Sequence, residues 1–238
     1  MRKCDKIEVM RQEIAEMEKN SDFTGIHDKK FVCNKTQFEN AAKALIECDV
    51  QFKVVSRAKS YFVKHEITGR KKETNRKEEL IGYWLSKKKH MFENESVAID
   101  FQVPLKNKRT DKGIGKIDVL AYNSAENKIY FMELKRPDNK ETILRCALEA
   151  YAYSKIVDAD KFLQDYQDAG LLKTDLTKDP TIVPCVLIFE GSEQELQLKD
   201  ERNANTRKLM IKLGIEKLIL NKALLAEEIP EVALHLQS

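Results

Sequence analysis

Between residues 97 and 135 the apolar positions alternate with polar ones in three short runs, and on either side they spread to every third or fourth position. A period of two predicts strands, and a period near 3.6 predicts helices. VAIDFQVPL reads as a strand with Val97, Ile99, Phe101 and Val103 on one face, ended at Pro104. GKIDVLAY and KIYFMELKR follow as two strands joined by NSAEN, a turn-rich link suited to a hairpin. Before them, KEELIGYWLSKKKH is a helix that turns Leu80, Ile81, Trp84 and Leu85 inward. After them, ETILRCALEAYAYSKIV is a second helix, begun by Asp138 with Glu141 three residues on. TIVPCVLIFEG is a further buried strand, and NTRKLMIKLG is a helix closed by Gly214. A last short strand and helix are expected beyond it. This order predicts an α/β fold with a mixed central sheet and helices on both faces.

The first 70 residues read differently. Residues 5–19 form a helix with Ile7, Met10, Ile14 and Met17 on one side, and FVC is expected as a strand. TQFENAAKALIECD is a helix in which Thr36 and Glu39 have capping-box spacing. QFKVVSR and SYFVKHEI are expected as two more strands, which makes a small N-terminal α/β extension. The polar, basic stretch GRKKETNRK is the predicted boundary, dividing the chain into residues 1–70 and 71–238.

Three charges interrupt the apolar alternation. On KIYFMELKR, Ile129, Phe131, Glu133 and Lys135 share one face, while Tyr130, Met132 and Leu134 take the other. Asp118 shares its face with Leu120 and Tyr122, so hairpin pairing brings it close to Glu133. Two carboxylates buried together are unfavourable unless a cation lies between them. Lys135 compensates for one of them, and a divalent cation compensates for both. A few oxygen ligands suit Mg²⁺ or Mn²⁺, which keep several waters and complete their shell with substrate phosphate. Beside such a cation the Lys135 pKa is expected to fall, and the lysine would orient or deprotonate the nucleophile. The chemistry expected is phosphodiester hydrolysis.

The pattern Ile117-Asp118, then Glu133-Leu134-Lys135, with a helix before and after, resembles the PD-(D/E)XK nuclease superfamily over roughly residues 71–190. The resemblance implies a restriction-endonuclease-like fold with Asp118 and Glu133 as ligands of Mg²⁺, helped by the Leu134 carbonyl, and Lys135 as the catalytic lysine. It implies a further acid on the preceding helix, Glu78 with Glu79 as the alternative. On the following helix, Glu149 and Tyr153 match a Gln-x3-Tyr motif that contacts nucleic acid, with Glu in place of Gln.

Charge adds a substrate class. The net charge of the 238-residue chain is only +3, yet residues 70–116 hold thirteen Lys or Arg against seven acids, leaving −3 for the remainder. Such a cluster favours a polyanion. Lys87 and Lys88 at the helix end, and Lys106, Lys108, Arg109, Lys112 and Lys116 around the loop that follows, are the expected backbone-phosphate contacts. DNA is expected over RNA, and a homodimer is compatible. Five separated cysteines without a CxxC fit free thiols in a reducing cytoplasm, and no apolar run is long enough for a membrane span. His27, His65, His90 and His235 are scattered, and none is given a role. The alternative to an Mg²⁺-dependent DNA endonuclease is a non-catalytic nucleic-acid-binding or adaptor protein on the same fold.

Overall fold

The computed structural model describes residues 3–64, 77–108, 110–172 and 180–228. The predicted boundary between residues 70 and 71, the second half of SYFVKHEI, and Arg109 lie outside them. The order of elements in the second part follows the hydrophobic pattern. Helix α4 (Lys77–Lys87) precedes β1 (Val97–Pro104), β2 (Lys116–Asn123) and β3 (Lys128–Leu134). Then come α5 (Ile143–Ile156), α6 (Ala159–Asp168), β4 (Thr181–Phe189), α7 (Glu193–Lys199), α8 (Ala204–Leu213), β5 (Glu216–Leu220) and α9 (Lys222–Glu228). Gly214 caps α8 in the left-handed conformation (φ 66°), the role its position predicts. The sheet has the order β1-β2-β3-β4-β5, antiparallel over the first three strands and parallel over the last three. The molecule is therefore α/β, with a five-stranded mixed sheet flanked by helices.

Alternation sorts the strand residues between two cores. Tyr130, Met132 and Leu134 of β3 meet Ile81 and Leu85 of α4 on one face. Ile129 and Phe131 meet Leu120 and Tyr122 of β2 on the other, under Phe162 and Tyr166 of α6. β1 departs from the simple pattern. Its register shifts between Ala98 and Asp100, and Gln102 takes a positive φ of 52°. The expected single face of Val97, Ile99, Phe101 and Val103 is split as a result. Val103 and Ile99 join the α6 core, whereas Phe101 packs on Tyr83 of α4 with centroids 5.6 Å apart. Irregularities of this kind re-aim side chains at strand ends. Here the shift buries Asp100, whose Oδ2 accepts a 2.6 Å bond from Tyr166.

The N-terminal residues correct the expected α/β extension. Among residues 3–64 the regular elements are α1 (Lys3–Lys19), α2 (Lys30–Cys33) and α3 (Phe38–Ile46), plus a short 3-10 turn at Ile26–Asp28. FVC is the end of α2, not a strand, because burial of Phe31 and Val32 against α3 and α5 decides a three-residue apolar run that has no period of its own. QFKVVSR makes only one bridge, Val55 to Val157, because the chain beside it is the exit of α5 rather than a strand. Thr36 does not cap α3. Glu39 instead accepts bonds from the Asn205 and Thr206 amides at the start of α8. Met10, Ile14, Ala41 and Leu45 share one core with Leu144, Leu148, Val186 and Leu209, so these helices cover the sheet face that α5 begins to cover.

Asp138 likewise does not open α5. Thr142 caps it by accepting from the Arg145 amide, and Asp138 pairs with Arg136. The four described cysteines, Cys33, Cys48, Cys146 and Cys185, are free thiols. No helix among the described residues is long and apolar enough to cross a membrane. Removing the hydroxyl in Tyr166→Phe takes a hydrogen bond from the buried Asp100 carboxylate and should cost about 1–3 kcal/mol of stability. Urea unfolding of the variant measures that loss, and an unchanged midpoint would show that the bond contributes nothing.

Candidate active site

Three strand ends converge at one end of the sheet. Val119 pairs with Met132, so the next positions along, Asp118 of β2 and Glu133 of β3, stand opposite each other. Asp118 is half-buried, and Glu133 and Lys135 are 4% and 5% exposed. Asp118 Oδ2 accepts a 3.1 Å bond from the Leu134 amide, and Oδ1 accepts 2.8 Å from Gln102, which its left-handed backbone aims across the strand pair. α4 closes on this end through Gly82. A Cβ there would come within 3.0 Å of the Asp118 carbonyl, so a side chain would push the helix away.

One turn before Gly82, Glu78 and Glu79 line an open pocket of about 390 Å³ together with Lys77, Gln102, Asp118, Arg136 and Asn139. Glu78 Oε1 accepts from Asn139 Nδ2 (3.1 Å) and the Arg136 amide (3.4 Å). Glu78 also acts on the charge of Asp118. Both acids of α4 therefore face the pocket that Asp118 lines.

Charge is concentrated here beyond what water would tolerate. Burial raises the Asp118 pKa to about 7, with Glu78 and Glu149 adding to the rise against Lys135 and the Leu134 amide. Burial, then Asp118, hold Glu133 well above the carboxylate range. Lys135 Nζ lies 2.5 Å from Glu133, 3.0 Å from Glu141 and 3.8 Å from Glu149. Burial disfavours its charge, but Glu133 foremost, then Cys146, Glu149 and Asp118, hold the ammonium well above the usual lysine range. Of the carboxylates around the ammonium, Glu141 just before α5 and Glu149 on it were not part of the predicted charge balance.

Glu149 and Tyr153 were expected on the nucleic-acid path. The structure turns both inward. The Tyr153 hydroxyl is buried, donates to Glu149 Oε1 at 2.8 Å, and occupies the space that a Cβ on Gly115 would need. Burial alone would raise the Glu149 pKa. Lys135, His27 and hydrogen bonds with Glu133 and Tyr153 outweigh it and lower the value. Glu141, Arg145, Glu149 and Tyr153 follow at intervals of four, one face of a helix, and that spacing was the available signal for this network. Arg145 pairs with Glu141 and with Asp28. His27 has no such signal, since the N-terminal fold alone delivers it.

The basic residues divide into two groups. Lys106, Lys108, Lys112 and Lys116 are exposed on or beside the loop joining β1 to β2, at the same end of the sheet as Asp118. Asp111 shapes this loop by accepting from the Asn107 and Lys108 amides, and Arg57 donates to the Lys106 carbonyl. Lys87 and Lys88 lie elsewhere. Nine residues of helix place Lys87 about 14 Å from Glu78, at the end of the sheet where the Ala98 amide donates to the His90 carbonyl. They do not join the candidate site.

Asp118 and Glu133 are oxygen donors of the kind a hard divalent cation takes. They are paired oxygens whose charges the fold forces toward protonation, and Mg²⁺ is content with two carboxylates and several waters. No group of three or more His, Cys, Asp and Glu among the described residues is arranged to hold a metal. Comparison of the chain with protein-family models, curated proteins and solved structures finds no match.

The raised carboxylate pKa has a measurable consequence. A group near 7 in the fold and near 4 unfolded contributes stability that is full below about pH 4 and lost as the pH rises through 7. A cation that takes the proton's place offsets that loss. Mg²⁺ should therefore raise the melting temperature by several degrees at about pH 8 and by almost nothing at about pH 5. Thermal melts at the two pH values, repeated on Asp118→Asn, check this. An equal Mg²⁺ effect at both would contradict it.

Proposed function

We propose that the protein is a Mg²⁺-dependent nuclease of the PD-(D/E)XK type, with the restriction-endonuclease-like form of the mixed sheet, acting endonucleolytically on DNA. The observation that carries this reading is the meeting of Asp118, Glu133 and Lys135 at one sheet end, with both carboxylates pushed up in pKa. Sequence order, Asp118 then Glu133-Leu134-Lys135, supports it, as does the helix acid Glu78 facing Asp118 from α4.

Asp118, Glu133 and the Leu134 carbonyl would hold Mg²⁺ (or Mn²⁺), which supplies positive charge beside the scissile phosphate. The chain's own residues do the rest. Glu78, fixed by Asn139 and the Arg136 amide, faces the same pocket and can accept a hydrogen bond from the attacking water. Lys135, whose charge the neighbouring carboxylates favour, would act by charge and hydrogen-bond donation to oxygens of the reacting phosphate, or would orient or deprotonate the nucleophile. Gln102 and the Leu134 amide keep the Asp118 carboxylate oriented. Lys106, Lys108, Lys112 and Lys116 line the approach and would bind backbone phosphates without reading sequence. Arg109 belongs to the same loop in sequence.

Asp118→Asn should lower Mg²⁺-dependent cleavage of plasmid or linear duplex at least about a hundredfold while leaving the fold intact, and Lys135→Met should lower it as far with a loss of stability, because it leaves Glu133, Glu141 and Glu149 without their ammonium. Gel assays with Mg²⁺ and Mn²⁺ read the loss. If the wild-type chain binds DNA without a metal requirement and cleaves nothing, the enzyme reading is wrong and the adaptor reading holds. Neutralising Lys108 and Lys112 should weaken binding to all duplexes alike and flatten the salt dependence by about one unit for each phosphate no longer neutralised. Binding titrations across salt concentrations test this. An unchanged slope would remove the loop from the interface.

A further inference from the structure

Residues 23–28 enter the molecule beside the candidate site. Gly25 meets Gly113 of the basic loop backbone to backbone, with a Cβ on Gly113 falling 2.8 Å from Gly25 Cα. Two residues on, the His27 side chain turns into the interior and is 2% exposed. Its ring stands edge-on to Tyr153 (centroids 5.8 Å, planes at 76°), and Nε2 lies 3.7 Å from Asp28 and 4.0 Å from Glu149 Oε1. Nδ1 is buried with no hydrogen-bond partner among the described residues. A buried polar ring with one nitrogen unsatisfied carries a desolvation cost, and an apolar residue of the same size would avoid it.

We propose that His27 is a positioning residue: its imidazole, wedged between Tyr153 and the carboxylates of Asp28 and Glu149, holds Glu149 against Lys135. The chain of contacts is short. Glu149 accepts from Tyr153 through Oε1, the oxygen that His27 faces, and presents Oε2 to Lys135 Nζ at 3.8 Å. Glu149 is thereby held as the third carboxylate around Lys135, behind Glu133 at 2.5 Å and Glu141 at 3.0 Å. A charged group that acts by direction needs this kind of supporting shell, because a displacement of about 1 Å weakens its effect on a transition state. The N-terminal residues thus complete the lysine environment that β3 and α5 begin. The proposal rests on Lys135 being the catalytic ammonium, but its structural half is separately measurable.

Two near-isosteric variants separate positioning from simple filling. His27→Gln keeps a polar N–H at the place of Nε2. His27→Asn keeps one only at the place of Nδ1. Amine acylation of the full chain, with Lys135 read by peptide mass spectrometry, reports the enclosure of the lysine without requiring activity. In His27→Asn, Lys135 labelling should rise about tenfold and kcat for duplex cleavage fall about tenfold, with KM within twofold, whereas His27→Gln should stay within threefold of wild type in both. Equal behaviour of the two variants overturns the proposal, as does unchanged Lys135 labelling in a folded His27→Asn. If either variant does not fold, Tyr153→Phe replaces it: removing the other partner of Glu149 Oε1 must raise Lys135 labelling, and no rise sinks the idea. If labelling responds as expected but wild type cleaves no nucleic acid, the positioning of Lys135 stands and the nuclease reading fails.

Discussion

Lys135 is enclosed by carboxylates from three places in the chain: Glu133 on its own strand, Glu141 at the entry to α5, and Glu149 one helix face further on. With Asp118 opposite Glu133, the negative groups outnumber the positive ones around the buried Glu133 and Lys135. Such an arrangement persists only if protons or a cation balance it. The fold is organised around that demand. Gly82 lets α4 approach closely enough to bring Glu78 to the rim, the left-handed backbone of Gln102 in β1 accompanies its bond to Asp118, and Gly115 leaves room for the Tyr153 hydroxyl that orients Glu149. Each of these is a local departure from the easiest packing, and each serves the same cluster.

The features that depend on period two were legible in the sequence. β2 and β3 bury both faces, so charges within them stand out against an apolar run, and the two-residue period with hairpin pairing places Asp118, Glu133 and Lys135 on one side. The helices flanking them have long apolar stripes and were equally plain. What failed depended on context. FVC and QFKVVSR are too short to carry a period, and the neighbouring chain decided their form: a helix packed on α5 in one case, a single bridge in the other. The β1 shift left no trace in the pattern, because VAIDFQV alternates as a regular strand would.

The candidate site was half legible for the same reason. A motif pattern pointed Glu149 and Tyr153 outward toward nucleic acid, although the four-residue spacing from Glu141 already placed them on a face with Arg145. Tertiary packing made that face internal. Lysines close in sequence proved far apart in space, since α4 carries Lys87 and Lys88 the length of the sheet away while the β1–β2 loop returns Lys106 to Lys116 to it. His27 could not have been found at all, because only the folded N-terminal segment brings it to Glu149.

The central claim is that Asp118 and Glu133 share one cation. Crystals grown with Mn²⁺ and measured at its absorption edge answer this directly. The expected result is a single anomalous peak about 2.0–2.3 Å from an oxygen of each carboxylate, the spacing of a hard divalent ion. A map with both carboxylates ordered and no peak between them, at millimolar Mn²⁺, would contradict it.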